Sequence, residues 1–83
     1  MTPQGEFVSI PDRLVCSPAW GRLRSERVEE GRAIEPGMVI GTVGQGGAEV
    51  PLVSMVAGRF VEWLAGEGER AWPGMPLARL CVE

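Results

Sequence analysis

SPAWGRLRSERVEEGRAIEPGMVIGTV, residues 17–43, recurs in outline 37 residues later as SMVAGRFVEWLAGEGERAWPGMPLARL, residues 54–80. Eight of the 27 aligned positions are identical, whereas ordinary amino-acid usage would give roughly two. The alignment needs no gap, and most of the identical residues are glycine, proline or serine, which set turns. The identical pairs are Ser17/Ser54, Gly21/Gly58, Arg22/Arg59, Glu30/Glu67, Gly31/Gly68, Pro36/Pro73, Gly37/Gly74 and Met38/Met75.

The repeat predicts two copies of one strand-and-turn unit. Predicted short strands at residues 14–16, 19–24 and 38–43 are separated by turns at residues 30–31 and 36–37. Four short strands cannot bury a face alone, but two such units packed about a two-fold axis can. We therefore predict an all-β fold of about eight strands, a flattened barrel or sandwich of two quasi-symmetric four-stranded sheets. The predicted inward positions are Leu23, Val28, Ile34, Val50, Leu52 and Val56.

Length and composition limit the class of protein. Eighty-three residues form one small domain, which we place at residues 14–83 behind an N-terminal arm at residues 1–13. Residues 7–10 alternate apolar and polar, so the arm either adds an edge strand or is a disordered tail. The net charge of -3 argues against nucleic-acid binding. No apolar run could span a bilayer and no signal peptide is visible, so we expect a cytoplasmic protein.

Over residues 14–82 the chain resembles the biotinyl/lipoyl carrier domain family. The motifs that carry the resemblance are SPAWG, EEGRAIEPGMVI, SMVAGRFVEWL and GERAWPGMPLARL. A glycine-x-x-apolar-x-x-glycine turn precedes the last strand in that family, and here residues 68–74 have this pattern, as do residues 31–37. The resemblance implies the family's fold, a barrel-sandwich hybrid. It does not by itself imply the family's function.

The family carries biotin or lipoate on a lysine at the tip of the hairpin between the two halves. Gly47 occupies that position here, with Gln45, Gly46 and Ala48 beside it, and the sequence contains no lysine. Amide attachment needs an amine nucleophile. We therefore expect no covalent biotin or lipoate and no other cofactor.

Other chemistries are also disfavoured. The chain has no histidine, so no Ser/His/Asp or Cys/His arrangement exists. Two cysteines and scattered carboxylates lack metal-ligand spacing. The glycine-rich residues 41–47 lack the lysine and hydroxyl of a phosphate-binding loop, and a hairpin turn with positive φ explains Gly46 and Gly47. We expect a protein that is not an enzyme and holds no metal.

Trp20, Arg22 and Arg24 form the most suggestive surface group. The two arginines alternate with Leu23 and so share one face, and tryptophan and arginine are frequent at binding hot spots. Trp72 in its exposed turn could add a second contact, and Gln45, Gly46 and Gly47 could approach a partner backbone closely. Equally, the arginines could be a solvated strand face and the glycines only a turn.

The expected function is a non-catalytic interaction or scaffold module, a carrier-domain relative without an attachment lysine. The resemblance suggests association with an acyl-CoA carboxylase or 2-oxoacid dehydrogenase assembly. The alternative is the lipoyl-like domain of a transport or efflux adaptor, which also lacks the lysine. In the family fold the first and last strands are adjacent, so we also expect Cys16 and Cys81 to be neighbours.

Overall fold

The computed structural model describes residues 12–82, and every regular element within them is a β-strand, so the predicted absence of helix is confirmed for this range. The predicted edge strand at residues 7–10 lies outside the described residues. The first strand begins two residues before the predicted start of the domain. The strands are β1 (Asp12–Cys16), β2 (Gly21–Ser25), β3 (Ala33–Ile34), β4 (Val39–Gln45), β5 (Ala48–Val53), β6 (Gly58–Trp63), β7 (Arg70–Ala71) and β8 (Pro76–Cys81).

The strands form two antiparallel four-stranded sheets. Sheet I has the order β1-β8-β6-β3, and sheet II has the order β5-β4-β2-β7. Each sheet therefore takes two strands from the first half of the chain, β1 to β4, and two from the second half, β5 to β8. Neither half can form either sheet without the other.

The hydrophobic core lies between the two sheets. Of the predicted inward positions, Leu23, Ile34 and Leu52 are buried, and Val28 and Val56 pack against the core from partly buried sites. The prediction fails for Val50, which is exposed because it lies on the edge strand β5 close to the hairpin tip. The buried apolar side chains are Val15, Leu23, Ile34, Ile40, Val43, Leu52, Phe60, Ala65, Ala71, Met75, Leu77, Ala78 and Leu80.

The strands recur at the spacing of the sequence repeat, since β2, β3 and β4 begin 37 residues before β6, β7 and β8. The identical residues of the repeat lie where the halves meet. Ser17 N–H donates to Met75 O at 2.8 Å, and the equivalent Ser54 N–H donates to Met38 O at 3.3 Å. Likewise Gly31 N–H donates to Phe60 O and Gly68 N–H to Leu23 O, both at 2.7 Å. Each half thus supplies the backbone partners that the other half's turns require.

Gly21 and Gly58 are equivalent positions at which the backbone leaves no room for a side chain. A Cβ atom on Gly21 would lie 2.6 Å from Gly44 O, and one on Gly58 would lie 2.7 Å from Cys81 O. Gly21 also has a φ of 148°, which L side chains rarely adopt. These glycines let β2 and β6 run close against their neighbours.

The cysteines are not neighbours, so that prediction is wrong. β1 and β8 do pair as the family resemblance implies, but Asp12 lies opposite Cys81 and Cys16 lies opposite Pro76. Antiparallel pairing puts the end of one strand against the start of the other, and each cysteine ends its own strand. The two residues are therefore roughly 13 Å apart along the ladder, beyond the roughly 7 Å that a disulfide allows. Both thiols are free.

Candidate functional site

The hairpin between β4 and β5 brings the two halves of the chain together at one end of sheet II. Gln45 and Ala48 are its last paired residues, and Gly46 and Gly47 form a two-residue loop. Their φ angles are 60° and 86°. A two-residue hairpin loop with two positive φ angles is the type I′ turn, whose twist matches that of the strands. The turn favours glycine because both of its central residues need a positive φ.

The tip of this hairpin offers few reactive groups. The space around the Cα atoms of Gly46 and Gly47 is open, and Gln45 and Ala48 are exposed. The nearest functional groups are the Gln45 amide and the backbone. Neither is a nucleophile suited to amide formation with a carboxylic acid.

A cleft of 250 Å³ lies beside the hairpin, on the outer face of sheet II. We call it the arginine cleft, because two of its six lining residues are arginines and the rest carry no charge. Its lining consists of Gly21, Arg22, Gly44, Gln45, Gly46 and Arg70. The glycines have no side chains to fill the cleft, and the arginine side chains form its walls.

Register places the two arginines directly across from each other. Arg22 on β2 lies opposite Arg70 on β7, and on its other side it lies opposite Gly44 of β4. One terminal nitrogen of Arg22, Nη1, donates to Gly68 O at 3.0 Å, which anchors the guanidinium near the turn before β7. Like charges at directly opposite positions of a ladder destabilise it, so this pair is an unusual feature of the sheet.

Trp20 and Trp72 stand at the end of the same strand pair. Gly21 lies opposite Ala71, so the residues immediately beyond them, Trp20 and Trp72, flank one end of the ladder. Gly21 and Ala71 are buried, whereas both tryptophans are exposed. They are 67% and 51% exposed. Two large aromatic rings are therefore presented to solvent next to the arginine cleft.

Arg24 lies on the same face but belongs to a different group. Its Nε is 3.6 Å from Glu49 Oε2, and Thr42 donates a hydrogen bond of 3.2 Å to the other oxygen of Glu49. Both charged side chains are well exposed. Arg24 is thus partly neutralised, whereas Arg22 and Arg70 face each other.

Glu67 is held away from the arginine cleft by Ser25. The backbone N–H and the hydroxyl of Ser25 both donate to Glu67 Oε1 at 2.8 Å. The backbone hydrogen bond, and then the hydroxyl bond, lower the pKa of the Glu67 carboxyl below its ordinary value. The carboxylate is ionised at neutral pH but is committed to Ser25.

The structure brings together most of the residues that the sequence singled out. Trp20, Arg22 and Trp72 share one end of sheet II with Gln45 and Gly46, while Arg24 pairs with Glu49 and Gly47 lies at the open tip. Trp63, by contrast, is half-buried and stacks obliquely on Phe60 with 5.5 Å between ring centroids. Sequence reasoning missed Arg70. Its position two residues before Trp72 on an alternating strand was the available signal, but its partner Arg22 is 48 residues away.

A second recess of 340 Å³ lies between the edge strands β1 and β5. Its walls are mainly apolar, with Leu14, Val53 and Met55 among them, and Arg13 is its one charged residue. Among residues 12–82 no group of three potential metal ligands occurs. That part of the chain also contains no helix long and apolar enough to cross a membrane.

Comparison with solved structures shows the fold. The urea carboxylase of Kluyveromyces lactis matches 96% of this chain with a TM-score of 0.74 and 18% sequence identity. A single-chain, multi-domain long-chain acyl-CoA carboxylase matches 99% of it with a TM-score of 0.77 and 17% identity. This chain corresponds to only 7% and 8% of those two proteins.

At these identities the likeness establishes architecture alone. No protein-family model matches the sequence, and no curated protein gives a significant match. The predicted fold class is confirmed: an all-β, biotinyl-domain-like flattened barrel-sandwich of two four-stranded sheets, similar to a small part of two carboxylases.

Proposed function

We propose that this chain is a non-catalytic interaction or scaffold module, a relative of carrier domains that has no attachment lysine. The observation that carries the proposal is the hairpin tip. Its loop consists of Gly46 and Gly47 between Gln45 and Ala48, and no lysine is present in the sequence to hold biotin or lipoate. A carrier acts by moving a covalently held group between active sites, and this tip has no side chain that could hold one.

The surface next to the tip supports a binding role. Trp20 and Trp72 are large, exposed and close to arginines that lie on the same face. Such residues dominate binding energy in protein interfaces. The same surface lacks the histidine, thiol or paired carboxylates that acid–base or nucleophilic catalysis requires, so we also propose that the chain is not an enzyme and uses no cofactor.

The partner that we propose is a subunit of a carboxylase or 2-oxoacid dehydrogenase type assembly. The two similar solved structures are carboxylases in which this fold occupies a small fraction of the chain. A module of this size would then contribute docking rather than chemistry. We place this association in the cytoplasm. The alternative is that the chain is the lipoyl-like domain of a transport or efflux adaptor, and the experiment must distinguish the two roles.

Affinity purification from the native host, followed by mass spectrometry, tests the partner. The wild-type chain is compared with a Trp20→Ala/Trp72→Ala variant and with Leu14→Ala, which removes an exposed apolar side chain from sheet I instead. We expect carboxylase or dehydrogenase subunits with the wild type and Leu14→Ala, and their loss with the double variant. Membrane transport components would support the alternative, and equal recovery with all three chains would contradict docking through this face.

Intact-mass measurement of the chain from the same host tests the absence of a carrier role. We expect the mass of the polypeptide alone, apart from processing of the initiator methionine. Avidin and anti-lipoate blots should both be blank. A mass increase that matches biotin or lipoate would contradict the proposal, whatever partner is found.

A further inference from the structure

We propose that the arginine cleft binds a carboxylate side chain from an acidic, extended segment of the partner, while Trp20 and Trp72 cover apolar side chains next to it. This inference rests on the proposed function and specifies the chemistry of the partner. It adds Arg70 to the binding residues, and it assigns Arg22 a ligand.

Two like charges oppose each other in the arginine cleft. Arg22 and Arg70 face each other across the β2–β7 ladder, and no lining residue of the cleft is acidic. The Arg22 guanidinium donates to Gly68 O, while the side chain of Arg70 makes no hydrogen bond or ion pair with any residue in the described range 12–82. An anionic oxygen between them would accept charge-assisted hydrogen bonds from both guanidinium groups and relieve their repulsion.

Neighbouring carboxylates do not supply this anion. Glu49 is bound to Arg24 and Thr42, and Glu67 to Ser25. The carboxylate of Glu69, next to Arg70 in sequence, accepts the Gly66 N–H at 2.9 Å. Each of these three acidic side chains therefore has a partner other than Arg22 and Arg70.

Sheet I provides an internal comparison, because the repeat places equivalent residues on its outer face. Arg59 is the equivalent of Arg22, but it lies opposite Ala33 where Arg22 meets Arg70. At the centre of sheet I, Arg79 bonds Glu62 at 2.7 Å and Asp12 at 3.0 Å, and these two carboxylates raise the pKa of Arg79 above its ordinary value. Sheet II thus differs from sheet I in having two arginines opposite each other. It does so although the net charge of the chain is -3.

The size of the cleft favours a side chain over a free cofactor-sized ligand. Its 250 Å³ lies below the range of about 300–1,000 Å³ that is usual for pockets of drug-sized molecules. A carboxylate group fits such a space, and a longer ligand has to extend beyond it across Trp20 and Trp72. Since β7 has only two residues, addition of a partner strand would form few backbone bonds, and side-chain recognition must provide most of the affinity.

Fluorescence anisotropy with a defined probe tests this inference. The probe is a fluorescein-labelled ten-residue peptide of alternating glutamate and leucine, and its control has glutamine in place of glutamate. We expect the acidic peptide to bind the wild type at least about tenfold more tightly than the control, the difference expected for charge-assisted pairs. Its affinity should also fall as salt is added.

Variants then locate the binding. Arg22→Gln and Arg70→Gln should each weaken the acidic peptide by about tenfold. Arg59→Gln is the matched control, because Arg59 donates to Gly31 O as Arg22 donates to Gly68 O, and it should leave affinity unchanged. Circular dichroism confirms that each variant is folded. Since the Arg70 side chain forms no hydrogen bond or ion pair within residues 12–82, Arg70→Gln separates loss of binding from loss of structure.

Three results would overturn the inference. They are equal binding of the two peptides, unchanged affinity in Arg22→Gln and Arg70→Gln, and no binding by the wild type. Glutarate and inorganic phosphate serve as competitors. If either competitor displaces the peptide at a concentration below the peptide's own Kd, the cleft is a small-anion site instead. If the purified partner still binds Arg22→Gln and Arg70→Gln, the proposed function stands and only the acidic segment is wrong.

Discussion

Two buried serines show how single residues fix equivalent turns in the two halves. Ser17 and Ser54 are equivalent in the repeat, and both are inaccessible to solvent or nearly so. The Ser54 hydroxyl donates to Val56 O at 2.6 Å and accepts the Val56 N–H at 3.2 Å, and Ser17 does the same with Ala19. A buried hydroxyl is stable only when it is bonded, so these serines define the entry into β2 and β6.

Ser54→Ala tests this role. The substitution leaves the Val56 backbone groups without their side-chain partner in a part-buried site, and we expect a loss of about 1 kcal/mol in the free energy of unfolding. Urea denaturation followed by circular dichroism measures it. Ser17→Ala should show a similar loss, since its bonds are equivalent. An unchanged denaturation midpoint in both variants would mean that the backbone holds these turns without the hydroxyls.

Glu67 predicts a pH dependence of stability. Because its carboxyl pKa is lowered in the folded state by the Ser25 bonds, the ionised form favours folding. This contribution is fully present above the unfolded pKa of about 4.3 and is lost as pH falls through the lower folded pKa. Wild type should therefore be more stable than Glu67→Gln at pH 7, and the difference should disappear in acid.

Urea titrations of the two chains between neutral and strongly acidic pH measure this difference. Glu30→Gln is the matched control, because Glu30 is the repeat equivalent of Glu67 but makes no hydrogen bond with the residues described in 12–82. Its stability should follow that of the wild type at every pH. A constant difference between wild type and Glu67→Gln over the whole range would show that the charge of Glu67 does not contribute.

At the scale of elements, the β4–β5 hairpin is the part of the fold on which the proposed absence of a carrier role depends. Its strands keep regular pairing from Thr42 to the tip, opposite residues 48–51. The loop itself has two glycines with positive φ. The hairpin is therefore a regular two-stranded ladder closed by a turn of two glycines.

Gly47→Lys tests whether an amine at the tip is sufficient for modification. We expect little or no biotin or lipoate on this variant after incubation with a biotin or lipoate ligase, because Gln45, Gly46 and Ala48 also differ from a carrier turn. A lysine at a φ of 86° should also cost about 1–2 kcal/mol of stability. Intact-mass measurement detects the modification, and an authentic carrier domain is the positive control. Efficient labelling would show that the flanking residues are not needed.

At the scale of the whole molecule, the two sheets share one core and both halves of the chain. Sheet I joins β1 and β3 to β6 and β8, and sheet II joins β2 and β4 to β5 and β7. The halves are connected by turn hydrogen bonds in both directions. Such interlocking leaves no part of residues 12–82 with a separate core.

We therefore predict a single cooperative unfolding transition. Far-ultraviolet circular dichroism, which follows the strands, and tryptophan fluorescence, which follows the half-buried Trp63 against Phe60, should give the same midpoint. A chain that ends at residue 53 should be unfolded, because it lacks β6, β7 and β8. Two separated transitions, or a folded truncated chain, would contradict this prediction.

The sequence alone determined the architecture and the chemistry of the hairpin tip. Glycine, proline and serine at repeated positions specify local turns, and alternating apolar residues specify strands, so both can be read without knowing what lies across the sheet. Gly46 and Gly47 at the tip were predicted for the same reason. Tertiary structure alone decided which distant residues face each other. Strand register placed Arg22 opposite Arg70, put Trp20 and Trp72 at the same end of that ladder and separated Cys16 from Cys81. Pairing between strands far apart in the chain depends on which faces the whole core buries, and this is not visible in either strand alone.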